Sequence, residues 1–257
     1  IPAMLPPTMK LAWLDVLPEY NPFKYNSFPI FAGLQAERMT QLVAKGFARA
    51  KADGSIGRFP PVLAFQSVVD STVNTMAVRT GLFDRLPENG SELLFFDVNH
   101  AAYVGPLLRP AAAGALGRLW PEKPTVYRVG VVTNAGDGSE DSVLRSRAAG
   151  AGAGATSIEP LDIPYRRDFY SLGHVALPFP LADGLYGADP DPADFQGARL
   201  GIIATRGESG ALGVAPAMLS RVSSNPFFFW MLGRIDHAID ASETPPAAQA
   251  DRASGQR

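Results

Sequence analysis

The feature that most constrains this chain is a repeated grammar of continuous apolar runs separated by helix-like stretches. The first run is Pro61-Val62-Leu63-Ala64-Phe65-Gln66-Ser67-Val68-Val69, followed at once by Asp70. The second is Leu93-Leu94-Phe95-Phe96-Asp97-Val98, ending at Asn99-His100, and the third is Thr125 to Thr133. Runs without polar alternation read as strands buried on both faces, which is the signature of a parallel sheet covered by helices. Residues 73 to 86 lie between the first two and show a helical pattern (Val73, Ala77, Val78, Phe83, Leu86), with Pro87-Glu88-Asn89-Gly90 as the turn that follows. A strand, helix and strand in this span predict a right-handed parallel unit, so the fold class is α/β.

Around this nucleus the remaining elements are read more coarsely. Residues 32 to 51 predict a helix with Leu34, Met39, Leu42, Val43 and Phe47 near one face, ended by Asp53-Gly54. Residues 106 to 119 are helical beyond Pro110. After the turn Gly136-Asp137-Gly138, residues 140 to 149 read as a short helix, and residues 149 to 155, which alternate Ala and Gly, as a flexible loop. Residues 200 to 205 read as a short strand. Asn225-Pro226 opens a last helix to about Asp240, with the proline at its first turn. Residues 1 to 240 are read as one domain, and the polar tail 241 to 257 as disordered.

The chain has 257 residues, a formal net charge of −2 and no cysteine. That excludes a disulfide scaffold, a thiol nucleophile and thiolate metal ligands, and gives no electrostatic case for nucleic acid as a partner. No apolar run reaches the roughly 20 residues that span a bilayer, and the compartment is not legible from these residues. The acidic turn Asp189-Pro190-Asp191-Pro192-Ala193-Asp194 is interrupted by two prolines and does not fit a calcium loop. Neither a metal nor a cofactor is expected.

Candidate chemistry centres on Asp70. A carboxylate just past the carboxyl end of a parallel strand stands where open α/β sheets keep their functional groups. It can orient a histidine and stabilise an imidazolium; equally, Asp is a favoured helix N-cap and a helix follows. Three histidines compete as its partner. His100 ends the next strand, His174 lies in a loop 104 residues further on, and His237 sits in the last helix beside Asp236. No Gly-x-Ser-x-Gly pentapeptide exists to make a nucleophile elbow. The nearest is Gly207-Glu208-Ser209-Gly210-Ala211, which ends in alanine and follows every plausible acid and base.

Three segments carry a family resemblance: residues 13 to 29, the Asp70 segment through Asn99, and Ser171-Leu172-Gly173-His174 through Tyr186-Gly187. Together they resemble the C-terminal part of a bacterial α/β-hydrolase of the esterase or lysophospholipase-like kind. The resemblance implies a mostly parallel sheet with flanking helices, whose N-terminal part and nucleophilic serine lie before this chain. It implies hydrolysis of a small lipophilic carboxylic ester by a Ser–Asp–His triad. Asp70 would be the acid and His174 the base, with His100 as the alternative because it stands at a strand end. Trp13, Tyr20, Phe23, Tyr25 and Phe28, within residues 1 to 31, would line an acyl pocket or form a lid. Residues 125 to 149 would then be an insertion that brings the His174 loop back to the site. Two other readings stay open: a non-catalytic binding protein of the same fold, and an unrelated doubly wound domain that binds a small ligand.

Overall fold

The computed structural model describes residues 12–15, 27–102, 105–203, 206–208, 210–213 and 223–243. The chain divides into two compact units, residues 1–58 and residues 59–257.

In the first unit, β1 (Trp13–Asp15) pairs antiparallel with β2 (Phe28–Pro29), and α1 runs over Ile30–Ala52. The expected helix is therefore present and slightly longer than read. Its last turn carries Arg49 and Lys51, which favour the negative end of the helix dipole, and Gly54 takes the positive φ of 77° that turns the chain out. Of the expected apolar stripe only Phe47 is buried; Met39, Leu42 and Val43 are exposed.

The second unit is built on a five-stranded sheet in the order β3 (Leu63–Ser67), β4 (Glu92–Phe96), β5 (Arg128–Asn134), β6 (Ser142–Arg147) and β7 (Ser157–Pro160). The three apolar runs are the three parallel strands, in register Leu63↔Glu92↔Arg128. Helix α2 (Thr75–Gly81) connects β3 to β4, and α3 (Pro110–Ala113) and α4 (Ala115–Leu119) connect β4 to β5. The class is α/β, with a mixed sheet.

Two elements differ from the sequence reading. Residues 142–147, read as helix, form β6, antiparallel to β5. The turn at Gly136–Gly138 is the cause: Gly138 sits at φ 76°, which only glycine adopts without strain, and the chain reverses into a hairpin closed by Ala135 N–H donating to Asp141 O (2.7 Å). Ladder hydrogen bonds with β5 then outweigh a weak local helical preference. Residues 200–203, read as strand, form the short helix α5 (Leu200–Ile203). Among the described residues no strand pairs with them; Leu200 N–H instead donates to Leu185 O (2.8 Å), and Leu200 packs against the buried Leu185 and Tyr186.

The main core lies on one face of the sheet. Leu94, Phe96, Val132 and Leu144 from three strands meet Tyr165, Phe169 and Leu172 from the long connection, and Phe227 and Met231 from α6 (Phe228–Glu243) and its approach. Aromatic rings order this core: Phe96 stacks on Phe227 at 5.8 Å, and Tyr165 meets Phe227 edge-on at 5.2 Å. Asn225 accepts from Phe227 N–H (2.9 Å) and starts the final helix, as its Asn-Pro signal predicts. The helix extends to Glu243, and residues 244–257 of the predicted tail lie outside the described residues.

Candidate active site

The acid is positioned by the end of β3. Beyond Ser67 the chain turns, with Val68 N–H still bonded to Phe96 O of β4 (3.0 Å). Beneath the turn a polar cluster ties it to the strand: Thr75 Oγ1 donates to Ser67 O (2.7 Å), and Gln66 Nε2 donates to Val73 O (3.3 Å) and Thr75 Oγ1 (3.2 Å). Asp70 therefore leaves the sheet on a loop whose path is fixed from below. Its Oδ1 accepts from the Thr72 and Val73 N–H groups at 2.8 and 2.7 Å. Asp70 is not the N-cap of α2. That role falls to Asn74, whose side chain accepts from Ala77 N–H at 3.0 Å. The acid caps its own loop instead, which leaves Oδ2 for another partner.

That partner is His174. Its Nδ1 lies 3.0 Å from Asp70 Oδ2, across 104 residues of sequence. The Asp70 side chain is fully buried and the imidazole is 32% exposed, so the pair faces outward from a dry carboxylate. Burial pushes the Asp70 carboxyl up, but the hydrogen bond from His174 and those from Val73 and Thr72 outweigh it and hold it below its ordinary value.

The long loop that delivers His174 is anchored by Asn99, at the end of β4. Its buried side chain donates to Tyr165 O, Arg166 O and Phe169 O (3.1, 2.7 and 2.7 Å), and its backbone N–H donates to Tyr170 O (3.0 Å). Asn134, at the end of β5, donates to Asn99 Oδ1 (3.0 Å) and fixes the orientation of that amide. The imidazole thus reaches Asp70 because carboxyl ends of adjacent parallel strands hold the backbone that carries it.

His100, the alternative base, goes elsewhere. Its Nε2 lies 3.3 Å from Asp97 Oδ2, three residues away, and its backbone N–H donates to Asn134 Oδ1 (2.7 Å). Asp97 is buried and also accepts from Thr133 Oγ1 (2.9 Å). The hydrogen bond to Asp97 raises the His100 pKa; burial opposes that rise, and the charges of Asp97 and Asp137 add to it. A local bond between residues three apart thus captures the histidine whose position at a strand end had pointed to Asp70.

Sequence reasoning missed Glu208 and Ser71. Glu208 is fully buried and accepts at Oε1 from both Ser71 N–H (3.1 Å) and Ser71 Oγ (2.5 Å). One ligating atom each from Asp70, His174 and Glu208 lies within 4.8 Å of the other two. The only sequence signal was a carboxylate inside a glycine-flanked turn with no partner in view. A cavity of about 310 Å³ opens beside Asp70, lined by Ser71, Thr72, Met76 and Arg118 among others.

Of the suggested acyl-pocket residues, Trp13 and Phe28 belong to the first unit, in β1 and β2. Tyr20, Phe23 and Tyr25 lie outside the described residues, as does Ser209. The acidic turn 189–194 makes local contacts: Asp191 caps a short 3-10 turn (Pro192–Asp194), and Asp189 pairs with Arg166.

No family model, curated protein or solved structure matches this chain.

Proposed function

We propose that this chain carries the acid and base of a serine hydrolase acting on carboxylic esters, with an α/β-hydrolase-like fold. The observation that supports the reading is the contact between Asp70 Oδ2 and His174 Nδ1, made at the carboxyl end of a parallel strand. A carboxylate on Nδ1 holds the tautomer in which Nε2 accepts a proton, and it stabilises the imidazolium that results. The partly exposed ring and buried carboxylate suit that division of labour.

In the proposed reaction a serine attacks the acyl carbonyl while His174 takes its proton through Nε2. His174 then returns that proton to the departing alcohol, and the acyl-enzyme is hydrolysed by water activated in the same way. In the order of the superfamily that this chain resembles, the serine precedes the acid. Ser27, Ser55 and Ser67 precede Asp70 but lack the glycine pattern of an elbow, so the proposal assigns the nucleophile to a serine upstream of residue 1. Among the described residues, Ser71 is engaged by Glu208 and Ser67 by the acid loop, so neither is assigned the role. The substrate is a small lipophilic ester. Among the described residues no helix is long and apolar enough to cross a membrane.

The test is labelling with a fluorophosphonate, which reacts with activated serines. Residues 1–257 alone are expected to remain unlabelled, whereas a form extended through its natural N-terminal sequence labels at one serine before Asp70. Labelling of the chain alone that disappears in Ser209→Ala would assign the nucleophile to the turn at 207–211 and overturn this arrangement.

A further inference from the structure

The proposed acid–base pair accounts for Asp70 and His174 but leaves a third buried carboxylate beside them. Glu208 is joined to both loops of the pair. Toward the acid, its Oε1 takes both hydrogen-bond donors of Ser71, the residue after Asp70. Toward the base, its backbone N–H donates to Ser171 Oγ (2.6 Å), three residues before His174, and its carbonyl accepts from Tyr170 Oη (3.2 Å).

The second oxygen is more telling. Oε2 is buried and has no hydrogen-bond partner among the described residues. A buried carboxylate oxygen without a donor is costly unless positive charge develops nearby. It lies against Gly173: a Cβ built on that glycine would overlap it, so the residue before His174 is shaped to let the carboxylate in. One ligating atom each of Asp70, His174 and Glu208 lies within 4.8 Å of the other two, so among the described residues both carboxylates come close to the ring.

We propose that Glu208 is a positioning residue for the Asp70–His174 pair, clamping the two loops together and setting a second negative charge against the imidazolium. This rests on the hydrolase reading for its purpose, but its geometry and its test do not. The arrangement would hold the two irregular loops against each other without a regular element to join them. It would also make the histidine a stronger base than one carboxylate does.

The experiment is an NMR pH titration of the three histidines in residues 1–257, assigned with His→Ala variants. Glu208→Gln keeps an oxygen for Ser71 but removes the charge. It is expected to lower the His174 midpoint by about one pH unit, the shift for one unit charge at that separation in a half-solvated site, and to leave His100 and His237 unmoved. A folded Glu208→Gln chain with an unchanged His174 midpoint would overturn the proposal, since a purely structural clamp moves no titration. Should Glu208→Gln fail to fold, Ser71→Ala keeps the charge and cuts the hold on the acid loop. It should speed solvent exchange of the His174 Nδ1 proton several-fold, and unchanged exchange would contradict the clamp. Binding of stoichiometric Zn²⁺ at His174 in the wild type but not in Glu208→Gln would assign the carboxylate to a metal instead and overturn the positioning role. None of these readouts needs an ester, so inert chemistry would sink the hydrolase reading without touching this one.

Discussion

Replacing Asp70 separates two jobs that one side chain does. Its Oδ1 holds the loop through two backbone N–H groups, and its Oδ2 holds His174. Asn at this position keeps an oxygen for the loop but turns an amide toward the ring. The loss is one charge-assisted hydrogen bond, worth roughly 1.5–3 kcal/mol in general. Because the imidazole is 32% exposed, solvent competes for it and the lower figure applies, about 1.5 kcal/mol. Asp70→Ala also abandons two N–H groups at about 1 kcal/mol each, giving roughly 3.5 kcal/mol in all. Urea unfolding at pH 7, followed by tryptophan fluorescence, measures both. The Asp70 carboxyl is held below its ordinary value of 3.8, so its contribution is fully present above that pH and is lost as pH falls through the lower folded value. The gap between wild type and Asp70→Asn should therefore close in acid. Equal costs for Asn and Ala would refute the division of labour, and a gap that widens on acidification would refute the linkage.

Two further outcomes follow from the surroundings of the site. His100 has a raised pKa because Asp97 accepts its hydrogen bond, so its stabilisation is complete below the ordinary 6.5 and disappears as pH rises through the folded value; the stability difference between wild type and His100→Gln should shrink from pH 6 to pH 9, and growth over that range would contradict the pairing. Gly130, in the middle of β5, has no room for a side chain between Leu94 and Leu144; Gly130→Val should cost about 1–3 kcal/mol by overpacking, and a melting temperature equal to wild type would show that the sheet yields there.

The parallel nucleus was legible because its strands are buried on both faces, and their continuous apolar runs leave little other reading. The hairpin partner β6 was not, since Ser142-Val143-Leu144-Arg145-Ser146-Arg147 has no strong period and its state is decided by the turn before it. The edge strand β7 was missed for a related reason: all four residues are exposed, and only pairing with β6 makes them a strand. At the site, Asp70 was marked by its place at a strand end. The choice of His174 came from resemblance, whereas strand-end position pointed to His100. Position failed because it cannot register that Asp97, one turn away, takes His100, or that Asn99 folds the loop at 165–170 back over the sheet. Glu208 is joined to the pair through Ser71, 137 residues distant, and no local pattern announces a contact of that range.

His174, held by Asp70, is proposed as the base of an ester hydrolase. The most direct measurement is turnover of short p-nitrophenyl esters by the N-terminally extended protein, comparing His174→Ala with His100→Ala. His174→Ala should lower kcat by about three or more orders of magnitude, while His100→Ala costs far less. Full activity in His174→Ala, or a loss confined to His100→Ala, would rule His174 out as the base.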